Sequence, residues 1–221
     1  MNQLLLLHYQ NNFIMKKIIL AVLAFGLFLN SFAQNEYKKA STLGVNFVFC
    51  DFRTPSDLRT NGLASLIRSK DWSKTSRMSA GIGISYMEGI NNQLDYSVTA
   101  SAFGVDYPIP NMASTGSVKL LVDVAAVVNL KLISDKYMVS PYLSLGAGAS
   151  KYGKYYSAFI PTGVGLQFNL FDESYIQLNS QYRMPVTENA AYQIFHSIGF
   201  SGVIGKKKVA ATATLPAAPT K

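Results

Sequence analysis

From Val118 to Leu132 every second residue is apolar: Val118, Leu120, Val122, Val124, Ala126, Val128, Leu130 and Leu132 share one parity, while Lys119, Asp123, Asn129 and Lys131 fall on the other. Side chains change face at every step only in an extended strand. A helix would put Lys119 and Asp123 on faces shared with the valines. Length adds a second constraint, because soluble strands run to about 5 or 6 residues whereas a tilted membrane strand needs about 9 to 11. A two-faced segment of fifteen residues is on the membrane scale.

The same alternation recurs seven more times. Leu43, Val45, Phe47 and Phe49 alternate with Gly44, Asn46 and Val48; Ala80, Ile82, Ile84 and Tyr86 with Gly81, Gly83 and Ser85; Leu94, Tyr96, Val98, Ala100 and Ala102 with Asp95, Ser97, Thr99 and Ser101. Beyond the central strand, Leu143, Leu145, Ala147 and Ala149 oppose Ser144, Gly146, Gly148 and Ser150. Ile160, Thr162, Val164, Leu166, Phe168 and Leu170 oppose Gly163, Gly165, Gln167 and Asn169. Ile176, Leu178, Tyr182 and Met184 then face away from Gln177, Asn179, Gln181 and Arg183, and Ile194, Ile198, Phe200 and Ile204 from Ser197, Gly199 and Ser201. Eight strands with one apolar and one small or polar parity predict an all-β chain, an eight-stranded antiparallel up-and-down transmembrane β-barrel.

Connections are expected to alternate between long and short, as membrane barrels have long outer loops and short periplasmic turns. Asp51 to Arg77 and Gly104 to Gly116 are long; Asn91 to Gln93, Ser134 to Lys136 and Asp172 to Ser174 are short; Lys151 to Tyr156 and Pro185 to Ala191 are intermediate. This order places both termini on the periplasmic side. Tyr86, Tyr137, Phe171 and Tyr175 near the short turns, and Tyr152, Tyr155, Tyr156, Tyr182 and Tyr192 near the long loops, are expected to form two aromatic girdles. A soluble lipocalin-like barrel would turn the apolar parity inward; the almost uncharged apolar parity and the Gly/Ser-rich polar one favour the membrane sense.

The N-terminus reads as an export signal. Lys16 and Lys17 precede an apolar run of twelve residues, Ile18 to Leu29, followed by Ser31, Phe32 and Ala33; such a run is too short for a spanning helix. Residues 1–33 are expected to be a signal peptide cleaved before Gln34, with translation starting at Met1 or Met15. Residues 34–205 are expected to form the barrel, and 206–221 a flexible periplasmic tail rich in Lys, Ala and Pro. Cys50 is the only cysteine, so no intramolecular disulfide staples the exported chain. The formal charge of +8 is dispersed, with no basic stripe carrying aromatics, and with the export signal it gives no support to nucleic-acid binding.

Several segments resemble the OmpA-like outer-membrane barrels. They are Trp72-Ser73-Lys74 leading into Met78 to Tyr86, Leu94-Asp95, Asp106-Tyr107-Pro108, Ser140-Pro141-Tyr142-Leu143 with Gly146 and Gly148, and His196 to Phe200 before Gly205 to Lys208. The resemblance spans roughly residues 40 to 208. It implies a non-enzymatic structural role in envelope integrity, with surface loops available for binding; a small porin-like diffusion channel and an adhesion module are the alternatives. Family members commonly continue through an Ala/Pro-rich linker into a peptidoglycan-binding domain. Here Lys206 to Pro219 resembles that linker and the chain stops at Lys221, so peptidoglycan contact is not carried over. A truncated reading frame and a barrel-only member both fit.

No constellation points to catalysis. The paired glycines lie two apart within strands, which suits a small-residue lumen face rather than a phosphate loop. His196, the one histidine after the signal, shares the apolar parity of the last strand, and Cys50 and His196 stand on different strands without a ligand cluster. No enzymatic activity, metal or cofactor is expected, and Cys50 is expected to be a small packed side chain. The informative set is the polar inward parity: Asp95, Lys119, Asp123, Lys131, Gln167, Asn169, Gln177, Gln181 and Arg183. Eight strands leave an interior just filled by side chains, so these residues are expected to pair as a plug rather than line an open pore. Leu58, Leu63, Leu66, Ile67 and Trp72 give the first long loop enough apolar character for a short helix. The expected neighbours are outer-membrane lipid, lipopolysaccharide and the barrel-assembly machinery.

Overall fold

The computed structural model describes residues 38–70, 72, 74–110, 118–170 and 173–204. The expected signal peptide over 1–33, the tail over 206–221 and Phe171 lie outside the described residues. Eight strands follow one another: β1 (Thr42–Asp51), β2 (Ser79–Gly89), β3 (Leu94–Val105), β4 (Lys119–Lys131), β5 (Val139–Tyr152), β6 (Tyr155–Leu170), β7 (Ser174–Pro185) and β8 (Gln193–Val203). Each pairs antiparallel with its sequence neighbours, and β8 closes on β1. Around the ring Phe47 stands between Ile82 and Ile198, and Asp123 between Ser101 and Ser150.

The alternation decides which way each strand faces. Ile82, Leu145 and Val164 are 65%, 61% and 57% exposed, while Asp95, Asp123 and Arg183 on the other parity are each 1% exposed. A water-soluble barrel has the opposite sense. An apolar exterior over a polar interior is the arrangement in which hydrocarbon meets only side chains and every strand edge is paired.

Two connections differ from the sequence expectation. β5 and β6 run to 14 and 16 residues and meet at a two-residue turn, Gly153-Lys154, with Gly153 at φ 57°. Residues 132–138 between β4 and β5 make a longer connection than that turn. Lys151, Tyr152, Tyr155 and Tyr156, expected as loop, continue the ladder as cross-strand pairs, because tyrosine favours the pleated surface. The long-loop end is therefore defined by 52–78, 106–118 and 186–192. Within 52–78 the chain forms α1 (Arg53–Asn61), α2 (Leu63–Ser69) and a 3-10 turn (Thr75–Arg77). Asp51 starts α1: its Oδ1 accepts from the backbone N–H of Arg53 at 2.8 Å and of Thr54 at 3.0 Å. Gly62 at φ 76° separates the two helices, and α1 lies against β8.

The girdles also need correction. Tyr137 and Tyr156 are exposed, and Tyr86, Tyr155, Tyr182 and Tyr192 are half-buried. Tyr152 and Tyr175 are instead buried on the inward parity, at 7% and 1% exposure. Sequence position near a turn identified the right end of the barrel for both, but parity decides the face. Tyr152 joins Val48, Cys50, Phe103, Val105, Tyr107, Leu121 and Phe195 in an apolar cluster at the long-loop end, with Phe52, Ile109 and Ala191 packed against it. Cys50 is buried there, its thiol donating to Gln193 Oε1 at 2.9 Å.

Candidate functional site in the barrel lumen

Beneath the apolar cluster, β4 and β7 bring Asp123 and Arg183 together across the lumen. Arg183 Nη1 donates to Asp123 Oδ2 at 2.7 Å, and its Nε reaches Gln181 Oε1 at 3.4 Å. The guanidinium carbon stands 3.6 Å from the Phe195 ring centroid and 4.7 Å from that of Phe159. A planar cation between aromatic faces, paired to a carboxylate, offsets the large cost of taking both charges out of water.

A second cluster fills the short-turn end. Lys131 Nζ lies 2.8 Å from Asp95 Oδ1 and 2.5 Å from Asp135 Oδ2. Lys39 lies 3.7 Å from Asp95, donates to Gln167 Oε1 at 2.5 Å and stands 4.0 Å over the Tyr175 ring. Gln167 Nε2 donates to Asp135 Oδ1 at 2.8 Å, Asn169 Nδ2 to the Asp135 carbonyl at 2.6 Å, and Gln177 Nε2 to Gln167 Oε1 at 3.3 Å. Burial pulls the Lys39 ammonium down to about 8, against the opposing pull of Asp95 and Asp135.

Between the clusters a lumenal cavity of about 30 Å³ is lined by polar side chains including Asn46, Ser85, Asn129 and Asn179. That is room for roughly one or two waters and not for a solute. Of the nine inward residues singled out by sequence, Asp95, Lys131, Gln167, Asn169 and Gln177 thus meet at the short-turn end, and Asp123, Gln181 and Arg183 near the long loops. Lys119 joins neither: as the first residue of β4 it is exposed at the rim, where a long stem carries its charge to water.

Lys39 and Asp135 were not readable as lumen residues, since neither lies in a strand. Lys39 precedes β1 and folds under the mouth of the barrel, its carbonyl accepting from Gly89 N–H at 3.2 Å. Asp135 sits in the β4–β5 connection and is fully buried. With them the charges of the two lumenal clusters balance, Lys39, Lys131 and Arg183 against Asp95, Asp123 and Asp135, while the fourth fully buried carboxylate, Asp51, is taken up by the start of α1. Among the described residues no group of three or more His, Cys, Asp or Glu is placed to hold a metal ion.

Fold and faces together define a class, the eight-stranded transmembrane β-barrel with a side-chain-filled lumen. No protein-family model matches the chain, and no curated protein matches it. Among solved structures it is similar to outer-membrane barrels. Neisserial surface protein A is 15% identical, with 76% of this chain and 100% of that one covered at a TM-score of 0.46. OprG of Pseudomonas aeruginosa is 8% identical, with 75% and 96% covered at 0.49. The N-terminal β-barrel domain of OprF from the same organism is 10% identical, with 75% and 99% covered at 0.44.

Proposed function

We propose that this chain is a non-enzymatic structural barrel of the outer membrane, contributing to envelope integrity as a sealed cylinder rather than as a channel. The supporting observation is the closure of the lumen at two levels, by Asp123–Arg183 under the apolar cluster and by Lys39, Asp95, Lys131 and Asp135 at the short-turn end. A filled interior of this kind conducts poorly and braces the wall from within. On this reading the protein is exported by its N-terminal signal, inserted by the barrel-assembly machinery with both termini periplasmic, and surrounded by outer-membrane lipid and lipopolysaccharide. Planar-bilayer recording of the purified barrel tests it. The expected trace lacks steady single-channel openings; regular openings of fixed conductance would replace the structural reading with the diffusion channel.

One observation favours a second role at the surface. Phe52, Ser56 and Arg59, Pro108 and Pro110, and Glu188, Ala190, Ala191 and Tyr192 line a cleft of about 420 Å³ between the long loops, with Arg59 stacked 4.0 Å over Tyr192. Loops on a rigid scaffold are common binding surfaces. Deletion of α1 and α2 should abolish any surface binding the intact barrel displays; undiminished binding would remove this role.

A further inference from the structure

A carboxylate stands on the outward parity near the short-turn end. Glu88, next to last in β2, shares its face with Ile82, Ile84 and Tyr86, and its cross-strand partner on β3 is Tyr96. Its Oε2 accepts from the Tyr86 hydroxyl at 2.7 Å and from the Tyr96 hydroxyl at 3.0 Å, and the Tyr86 oxygen in turn lies 3.1 Å from Ser41 Oγ. The two rings are 6.0 Å apart and tilted by 46°. Two phenols thus fix one carboxylate oxygen. The other, Oε1, is 3.9 Å from Lys38 Nζ, an ion pair too long for a hydrogen bond. Ile84 before Glu88 and Ile90 just past the end of β2 are both exposed, so the carboxylate sits at the edge of the apolar band rather than beyond it.

We propose that Glu88, Tyr86, Tyr96 and Lys38 form a headgroup site selective for a phospholipid that carries a primary ammonium, such as phosphatidylethanolamine. The inference rests on the outward face being lipid-facing. Contact between acyl chains and the wall carries no headgroup selectivity; the held carboxylate does. A primary ammonium brings three N–H donors, and one of them reaches Oε1 without displacing either tyrosine. The lipid phosphate, a few bonds from that ammonium, then meets Lys38, so the zwitterion lies head to tail along the Glu88–Lys38 pair. The Lys38 side chain is 45% exposed, and its long stem lets its ammonium move toward the phosphate. A choline headgroup has no N–H to offer the carboxylate, and an anionic glycerol headgroup meets it with like charge.

The test is lipid retention by the full-length folded barrel, counted by native mass spectrometry after extraction from vesicles holding equal parts of phosphatidylethanolamine, phosphatidylcholine and phosphatidylglycerol with matched acyl chains. Wild type should retain one ethanolamine lipid about tenfold better than the choline lipid, the discrimination of one hydrogen bond to a charged group. Glu88→Gln should erase that preference and leave choline-lipid retention unchanged, with heat-modifiable mobility on detergent gels confirming a folded barrel. Tyr86→Phe with Tyr96→Phe should lose most of the preference, since the carboxylate is then no longer held away from Lys38. Equal retention of the ethanolamine and choline lipids by wild type, a preference unchanged in either variant, or strongest retention of the glycerol lipid would overturn the proposal. Failure of wild type to insert into vesicles at all would instead remove the membrane reading beneath it.

Discussion

Removing one charge of the Asp123–Arg183 pair should damage the barrel far more than removing both. Each side chain is 1% exposed, and they meet at 2.7 Å. Asp123→Leu strands a guanidinium in the lumen, and Arg183→Met strands a carboxylate. Breaking a buried pair from one side costs about 3–5 kcal/mol, while replacing both members by apolar groups is often neutral or stabilising by about 1–4 kcal/mol. Arg183→Met keeps a stem against Phe195 and Phe159, so its loss is mostly electrostatic. Urea unfolding of the refolded barrel in lipid vesicles, run on wild type, both singles and the double, gives a closed cycle. The double should lie near wild type, leaving a coupling of at least about 3 kcal/mol. Singles within about 1 kcal/mol of wild type, or a double equal to their sum, would refute the idea that this contact braces the wall.

Lys39 carries a pH signature: its folded value of about 8 lies below the usual 10.5, so between those pH values the unfolded chain holds a proton that the folded one has released. Its contribution to stability should therefore rise from pH 8 to 10.5, by about 3 kcal/mol in full, and Lys39→Met should lose that rise in urea titrations across the window. Gly146→Ala would drive a Cβ into the Ala126 carbonyl oxygen, whereas at Gly104 the nearest atom is 3.4 Å away; only the Gly104→Ala barrel should keep its heat-modifiable mobility on detergent gels. Tyr107→Phe removes the hydroxyl that accepts from Ala191 N–H at 2.8 Å, which should cost about 1 kcal/mol and speed amide exchange at Ala191. Cys50, at 1% exposure, should react with a maleimide only after unfolding.

Strand number, order and facing were legible because the period-2 pattern is a direct record of two solvents, hydrocarbon outside and a polar lumen inside. Strand ends were less so. In Lys151-Tyr152-Gly153-Lys154-Tyr155-Tyr156 the charges suggested a loop, yet four of the six residues pair across the hairpin, because a ladder can continue past the apolar band into the interface. Half of the inner ionic cluster was hidden for a different reason. Asp95 and Lys131 announce themselves by parity, but Lys39 and Asp135 reach the lumen from outside the strands, and periodicity says nothing about where such residues point. The first long loop was readable as helical from its leucines, although not its start on the Asp51 carboxylate.

Site-directed spin labels placed singly at residues 122 and 124 to 128 of β4 in lipid vesicles test the inside-out barrel most directly, through their accessibility to dissolved oxygen and to a water-soluble nickel chelate. Labels at Val122, Val124, Ala126 and Val128 should collide with oxygen as lipid-exposed sites do, while those at Ala125 and Val127 should be shielded from both reagents. Loss of that two-residue period, or its inversion with the valine sites shielded, would contradict a barrel that faces its apolar parity to lipid.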